Sequence, residues 1–196
     1  MNSKGFELSV NFIVIMIIAL VIFVGGLYFT NKFFNMAIDE KQRLDRDTEQ
    51  AIEDLIMQGE KVAIPSQKKV LRRGSSAVFG LGISNTQRTS QTFYVTISFA
   101  KAYKTDNTLM DTADQDFINN NWIFSDLGSF EIGPNKQKSV PILVEVKGAM
   151  SQDHGTERGT YVFDVCVCTG SQCDPCLPQD SRLYDNFVHK IYVEVS

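Results

Sequence analysis

The feature that most constrains this chain is an uncharged run near its N-terminus, from Leu8 to Asn31. The run holds 24 residues, which as a helix would be about 36 Å long at ~1.5 Å per residue. The hydrocarbon core of a bilayer is about 30 Å thick and needs about 20 apolar residues. The run therefore predicts a transmembrane helix within residues 1–31. A cleaved signal peptide is the alternative, although its apolar core normally has only about 7–15 residues.

The residues after this run keep a helical period. Apolar side chains recur close to every 3.6 residues from Lys32 onward, no proline precedes Pro65, and Gly59 is suited to end a helix. The pattern predicts a helical stalk over residues 32–59, continuous with the membrane helix. Its apolar stripe would pack either on the chain's own C-terminal domain or on neighbouring stalks.

After the stalk, over residues 60–196, the hydrophobic period changes from 3.6 to 2. Short alternating segments such as Ala77–Ile83 and Tyr161–Val167 are separated by turn-rich gaps. Pro141 within one such segment indicates an edge strand or a bulge. The series predicts a two-sheet antiparallel sandwich. The predicted fold class is thus a long transmembrane and stalk α-helix followed by an all-β domain.

Composition and motifs argue against several functions. A formal net charge of -4 argues against a nucleic-acid partner, which requires a basic surface. Neither of the two histidines, His154 and His189, stands in a recognisable order with a nucleophile and a carboxylate. No phosphate-binding glycine loop or zinc-protease helix motif is present in the sequence. We therefore predict a protein without catalytic residues, cofactor or metal.

All four cysteines lie between Cys166 and Cys176. Cys166 and Cys168 are two apart on a predicted strand, so both point to the same face. A hairpin would favour the nested disulfides Cys168–Cys173 and Cys166–Cys176, whereas a four-thiolate zinc site is the alternative. We favour disulfides because a Cys-x-Cys pair on an extended strand is poorly suited to wrap a metal. Disulfides form in oxidising compartments, which predicts that the C-terminal domain lies outside the cell membrane.

A predicted loop over residues 101–121 is rich in acidic side chains. Its aspartates are Asp106, Asp111, Asp114 and Asp116. Oxygen-rich loops can hold calcium, but the spacing here is not that of an EF-hand and the required glycine is missing. We interpret the segment as a solvated loop.

The residues before the apolar run carry a resemblance to a known family. Lys4-Gly5-Phe6 resembles the processing site of type IV prepilins and related archaeal pilin-like proteins. The resemblance implies that a prepilin-type peptidase cuts between Gly5 and Phe6, and that the apolar helix then packs in a filament core. The family usually has Glu at the fifth mature position, where this chain has Val10, and its acid is Glu7 instead. An uncleaved signal anchor is the alternative.

A second resemblance lies in the β-rich part. Gly159–Phe163, Gly80–Asn85 and Ser139–Val146 are similar to segments of the immunoglobulin-like modules common on archaeal surface proteins. The resemblance implies that Tyr161 occupies the position of a tyrosine corner. The inter-sheet cysteine pair and the tryptophan spacing of antibody domains are absent. Another kind of β-sandwich is the alternative.

Together these observations predict a single-pass cell-membrane protein whose role is structural or adhesive. The sharper hypothesis is a pilin-like filament subunit whose partners are the lipid bilayer, a prepilin-type peptidase and other copies bound through the N-terminal helix. The alternative is an uncleaved envelope protein whose β-sandwich binds a protein or a glycan. A metal-binding cytoplasmic domain follows only if the orientation is reversed.

Overall fold

The computed structural model describes residues 13–23, 46–124 and 128–196. The chain divides into two compact units, Met1–Arg46 and Asp47–Ser196. In the first unit, residues 13–23 form helix α1. Its large apolar side chains are exposed in the single chain.

The predicted membrane helix is not found in the described part of the chain. Within the described residues, helix α1 covers eleven residues, which corresponds to about 16 Å, roughly half of a bilayer's hydrocarbon core. No helix among the described residues is both long and apolar enough to cross a membrane. The prediction of a long transmembrane and stalk helix is therefore wrong. The predicted location, a single-pass membrane protein with its C-terminal domain outside, is contradicted by the same finding.

Helix α2, residues 46–57, belongs to the second unit from Asp47 onward. Eight strands and one further helix follow it in the described residues. In chain order they are β1 (Val62–Ala63), β2 (Lys68–Leu71), β3 (Ser76–Ser84), β4 (Gln91–Lys104), α3 (Gln115–Trp122), β5 (Ser129–Ile132), β6 (Gln137–Glu145), β7 (Gly159–Thr169) and β8 (His189–Val195).

The strands form two sheets. The three-stranded sheet has the order β1-β3-β6, and the five-stranded sheet has the order β2-β8-β7-β4-β5. The order puts β6, with Pro141, at an edge, as the sequence predicted. Strand β2 runs parallel to β8, with Lys68 opposite Tyr192, which corrects the prediction of an all-antiparallel domain. These two strands stand at opposite ends of the domain sequence, so no hairpin turn imposes an antiparallel direction on them.

One hydrophobic core is built from both sheets. Strand β3 contributes Phe79, Leu81 and Ile83, each fully buried. Strand β6, beside β3 in the same sheet, adds Ile142 and Val144. The five-stranded sheet contributes the alternating residues on its inner face: Phe93, Val95, Phe99, Tyr161, Phe163, Val165, Val167, Ile191 and Val193. The period-2 pattern of the sequence therefore identifies the inward face of these strands correctly, because successive side chains of a strand point to opposite faces.

Helix α3 lies where the sequence predicted a loop and a strand. Strand β4 bulges next to Phe99, and two side chains of α3 bond the freed backbone groups. The Phe99 amide donates to Asn119 Oδ1 over 2.6 Å, and Gln115 Nε2 donates to the Phe99 carbonyl over 3.0 Å. Trp122 ends the helix fully buried, and its indole donates to the carbonyl of Ala149 over 3.0 Å. The helix thus closes one end of the core.

The outer face of the three-stranded sheet is covered by helix α2. Ile52 is 1% exposed and lies over Gly80 and Gly82 of β3. A Cβ atom at Gly82 would lie 2.1 Å from Ile52 Cγ2, and one at Gly80 would lie 2.3 Å from Thr48 Cγ2. Any side chain at these two positions would separate helix and sheet. In residues 47–57 the apolar stripe predicted for the stalk therefore packs on the chain's own domain.

Candidate functional site

Strand β7 divides its side chains between two environments. Tyr161, Phe163, Val165 and Val167 point into the main core. Cys166 and Cys168 point the other way and belong to a separate buried cluster on the outer face of the five-stranded sheet. The two cysteines therefore share a face, as their spacing predicted.

Two disulfides close the segment that follows β7. Cys166 is bonded to Cys176 with a Cα–Cα distance of 5.8 Å, and Cys168 is bonded to Cys173 with a distance of 6.1 Å. These are the two nested pairs named from the sequence. All four cysteines of the chain are described, and none is free. The zinc alternative needs four thiolates, which the two bonds consume.

The disulfides form a small second core. All four cysteine side chains are buried together with Leu183, and Tyr94 and Val188 pack against them. Leu183 forms an isolated antiparallel β-bridge with Cys168 near the end of β7. We call residues 170–188 the stapled loop. It lies over the outer face of the five-stranded sheet and is anchored there by its own apolar contacts.

An arginine clamp holds the stapled loop in one shape. Arg182 Nε donates to Asp180 Oδ1 over 2.8 Å, and its Nη1 donates to the carbonyl of Gln172 over 2.6 Å. The hydrogen bonds from Arg182 lower the pKa of Asp180 to about 2. The planar guanidinium therefore joins the start of the loop at Gln172 to its middle at Asp180 through charge-assisted hydrogen bonds.

Tyr184 ties the stapled loop to the main core. Its ring meets Phe93 edge-on, with 4.9 Å between ring centroids. Its hydroxyl donates to the carbonyl of Ser84 over 2.8 Å and accepts from the amide of Thr86 over 2.9 Å. Loop and sandwich are thus linked by a side chain about 100 residues away in sequence from its partners.

The stapled loop also presents apolar side chains to solvent. Phe187 is 68% exposed and Leu177 is 55% exposed. Exposed single apolar residues are common, but these two stand on a segment that disulfides, the arginine clamp and Tyr184 hold rigid. An exposed aromatic side chain on a fixed backbone, such as Phe187, contributes to a protein interface at a low ordering cost.

The two histidines have structural partners in different places. His189 Nε2 lies 2.6 Å from Asp185 Oδ2, at the end of the stapled loop. His154 Nδ1 lies 3.2 Å from Ser151 Oγ, which also accepts the His154 amide over 3.0 Å and so closes a tight turn. The structure does not bring the two histidines together.

Two aspartates of the predicted acidic loop, Asp106 and Asp114, make local hydrogen bonds. Asp106 accepts from the amide and the hydroxyl of Thr108, over 3.0 and 2.6 Å, and these bonds lower its pKa. Asp114 caps helix α3 by accepting from the amide of Phe117 over 2.7 Å. In the described residues no group of three or more His, Cys, Asp or Glu is placed to hold a metal ion.

Tyr161 makes the hydrogen bond of a tyrosine corner. It is fully buried, and its hydroxyl donates to the carbonyl of Glu157 over 3.0 Å, four residues upstream. Burial raises its pKa to about 12. The predicted processing residues Lys4, Gly5 and Phe6 lie outside the described residues.

Sequence reasoning missed two polar features. Asn85 is fully buried, and its side-chain amide donates to the carbonyls of Thr89 and Ile132, each over 2.9 Å. The second feature is a cleft at the end of β7 opposite the cysteines, lined in part by Arg72, Arg73 and Arg158. The arginine pair directly after a predicted strand was the available signal for the cleft.

The comparisons with known proteins identify no family. No protein-family model matches the sequence, and no curated protein matches it. Among solved structures, the chain is similar to a family 123 glycoside hydrolase from Clostridium perfringens, with 14% identity and a TM-score of 0.42, over 67% of this chain and 23% of that one. It is similar to a PapD-like domain of human CEP192, with 12% identity and a TM-score of 0.40, over 69% and 84%. A class 5 fimbriae chaperone, CfaA, shares 12% identity with a TM-score of 0.35, over 67% and 54%. The chain thus spans less than a quarter of the hydrolase and about half of the chaperone.

Proposed function

We propose that this protein is a non-catalytic structural or adhesive β-sandwich protein that works in an oxidising compartment. The observation that carries the proposal is the stapled loop, in which two disulfides stabilise a single surface segment. Disulfides persist in oxidising compartments and are rare where glutathione keeps thiols reduced. The tyrosine corner at Tyr161 supports the immunoglobulin-like interpretation of the domain.

The adhesive surface of this proposal is the stapled loop itself. Phe187 and Leu177 supply exposed apolar contacts on a segment whose conformation is fixed before any partner arrives. Fixing a loop in its bound shape lowers the entropy that binding would otherwise lose. A protein or glycan partner with an apolar surface would contact these exposed side chains.

The oxidised state is tested on protein taken from its native cells. Iodoacetamide is added before lysis and kept present during denaturation, and the denatured protein is weighed by mass spectrometry without reductant. We expect no adducts before reduction and four after it. Four adducts without reduction would contradict the proposal.

The adhesive role is tested with a matched pair of variants. Binding of the labelled full chain to cells of its source should fall several-fold with Phe187→Ser and with reduction of the disulfides. Met57→Ser is the control, because Met57 is 82% exposed on α2, away from the stapled loop. An equal loss in both variants, or no loss in either, would refute the role of the loop.

A filament subunit is the second candidate, and α1 supports it. Ile15, Ile18, Val21, Ile22 and Phe23 are 53–69% exposed in the single chain. A helix that is apolar all round needs burial elsewhere, and close packing with the same helix of other copies would provide it. The pilin-like motif at residues 4–6 agrees with this hypothesis.

The filament hypothesis depends on the mature N-terminus. A chain beginning at Phe6, and sedimentable assemblies that Ile18→Arg abolishes, would support it. Met57→Arg adds the same charge at an exposed position of the second unit and should leave assembly unchanged. Retained Met1–Gly5 in native protein excludes pilin-type processing.

A further inference from the structure

A cleft of about 710 Å³ opens at the end of the five-stranded sheet opposite the stapled loop. Three arginines line it, Arg72 and Arg73 from the turn after β2 and Arg158 from the residue before β7. Thr105 contributes from the turn after β4, and Glu194 from the end of β8. Four segments that are distant in sequence thus meet at one opening. Its volume lies in the range of small-molecule sites, about 300–1,000 Å³.

The acidic side chains near the cleft already have lysine partners. Glu194 is paired with Lys68 over 2.6 Å, and Glu157, next to Arg158, is paired with Lys104 over 3.7 Å. Among the described residues, no carboxylate lies within 4.0 Å of the guanidinium nitrogens of the three arginines. The three arginines of the cleft therefore have no carboxylate partner among the described residues, in a chain whose net charge is -4.

Arg182 shows how this fold treats an arginine with a structural role. Its guanidinium is bonded to both carboxylate oxygens of Asp180 and to the carbonyl of Gln172. The three arginines of the cleft have no side-chain hydrogen bond of this kind among the described residues. Their donors are free to bind a ligand.

The backbone beneath these arginines is fixed. The amide of Ser75 donates to the carbonyl of Arg72 over 3.0 Å across a tight turn, in which Gly74 has a φ of +77°. The Gly74 amide donates to Val146 over 2.7 Å and so anchors the turn to the other sheet. On the other side of the cleft, Gly159 follows Arg158 with a φ of +154°, and a Cβ there would lie 2.1 Å from the carbonyl oxygen of Tyr103. Two anchored turns therefore present the arginines, which lowers the ordering cost of binding.

We propose that this cleft binds a small molecule that carries two or more oxyanion groups, such as carboxylates, phosphates or sulfates. Guanidinium groups match these anions through paired N–H donors, and three of them favour a ligand with more than one charge. The cleft lies at the opposite end of β7 from the cysteines. The inference therefore goes beyond the proposed structural or adhesive role and does not depend on it.

The test is isothermal titration of the full chain with three probes that each carry at least two oxyanion groups: citrate, pyrophosphate and a disaccharide with two sulfates. We expect saturable binding of at least one probe at one site, weakening as salt is added. Arg73→Ala and Arg158→Ala should each weaken that binding by about tenfold or more, since each removes charge-assisted hydrogen bonds. The probe that binds best identifies the source of the anion.

Arg88→Ala is the matched control, because Arg88 is exposed in the turn between β3 and β4 and does not line the cleft. It should bind the probe as the unchanged chain does. Arg73→Lys should keep part of the affinity, and thermal melting checks that each variant is folded. Absence of binding by all three probes would overturn the proposal. Equal weakening by Arg88→Ala, or binding of a polyglutamate peptide alone, would also overturn it.

Discussion

The outer faces of the two sheets are covered in contrasting ways. Over the five-stranded sheet, the stapled loop is held by two disulfides and a cluster of cysteines around Leu183. Over the three-stranded sheet, helix α2 is held by fit alone, with Ile52 seated on Gly80 and Gly82. Covalent bonds hold the stapled loop, whereas close packing against two glycines holds helix α2. A sandwich can thus bury outward-facing residues without extending its central core.

The two covers differ in what they require of the sheet beneath. The stapled loop brings its own apolar atoms, so β7 has only to present two cysteines on one face. Helix α2 packs so close to β3 that the strand must carry no side chain beneath it, because protein interiors are packed tightly and tolerate little extra volume. A change beneath the helix should therefore cost more than a change beneath the loop.

The largest effect is expected from adding a side chain to β3 at the position where Ile52 of α2 packs. Gly82→Val places a branched side chain where Ile52 now lies, since even a Cβ would approach its Cγ2 to 2.1 Å. We expect the free energy of unfolding to fall by about 3 kcal/mol, the upper part of the range for overpacking. Urea denaturation measures it.

Two further variants sharpen this result. Gly148→Ala is the control, because no atom lies within 4 Å of a Cβ added there, and its effect should stay within about 0.5 kcal/mol. Adding Ile52→Ala to Gly82→Val should recover part of the lost free energy of unfolding, because it removes the side chain that the new valine displaces. Purely additive effects would show that helix and glycine do not interact.

The next effect is expected from opening the stapled loop. Replacing Cys166 and Cys176 by alanine removes the outer bond, which closes a loop of sequence separation 10. The entropy of loop closure predicts a loss of about 2.5 kcal/mol, and about 2 kcal/mol for the inner pair, Cys168 and Cys173.

Removing the outer disulfide should open only the stapled loop and leave the rest of the domain folded. Because the cysteine cluster is distinct from the main core, the opening should be local. Hydrogen exchange should speed up at the amides of Thr169 and Tyr184, while strand β3 stays protected. Equal acceleration in β3 would show that the loop and the core unfold as one unit.

The smallest effect is a pH dependence confined to the stapled loop. The pKa of Asp180 is lowered from 3.8 to about 2 by its hydrogen bonds with Arg182. Its stabilising contribution is complete above pH 3.8 and is lost as the pH falls through about 2. Amide exchange in the loop, compared with Asp180→Asn, should show a step in this window that the variant lacks. A step of the same size in the variant would assign it to another group.

Much of the sandwich could be predicted from its alternating strands. Phe79, Leu81 and Ile83 lie on the buried face because a period of 2 leaves no other way to remove all three from water. The shared face of Cys166 and Cys168 follows from the same rule. These are local properties, and a strand carries them in its own sequence.

Other features depend on contacts that no local pattern contains. The parallel pairing of β2 with β8 joins segments more than 100 residues apart. Gly80 and Gly82 resemble ordinary strand glycines until a helix is placed above them. Helix α3 contains three consecutive asparagines, Asn119 to Asn121, which are weak helix formers, and it is stabilised by its contacts with β4 and by Trp122 in the core. The apolar run at residues 8–31 predicts a membrane-spanning helix from hydropathy alone, whereas no helix among the described residues is both long and apolar enough to cross a membrane.

Pro141 has a consequence for how copies of this protein can meet. It lies on β6, an edge strand, two residues before Leu143, whose carbonyl faces away from β3 and accepts from the amide of Phe124 over 3.1 Å. By the alternation of strand groups, residue 141 faces the same open side and offers no donor there. A strand from a second molecule would meet a gap at Pro141 and an occupied acceptor at Leu143. Strand β6, the longest edge of the three-stranded sheet, therefore cannot pair continuously with a strand of a second molecule.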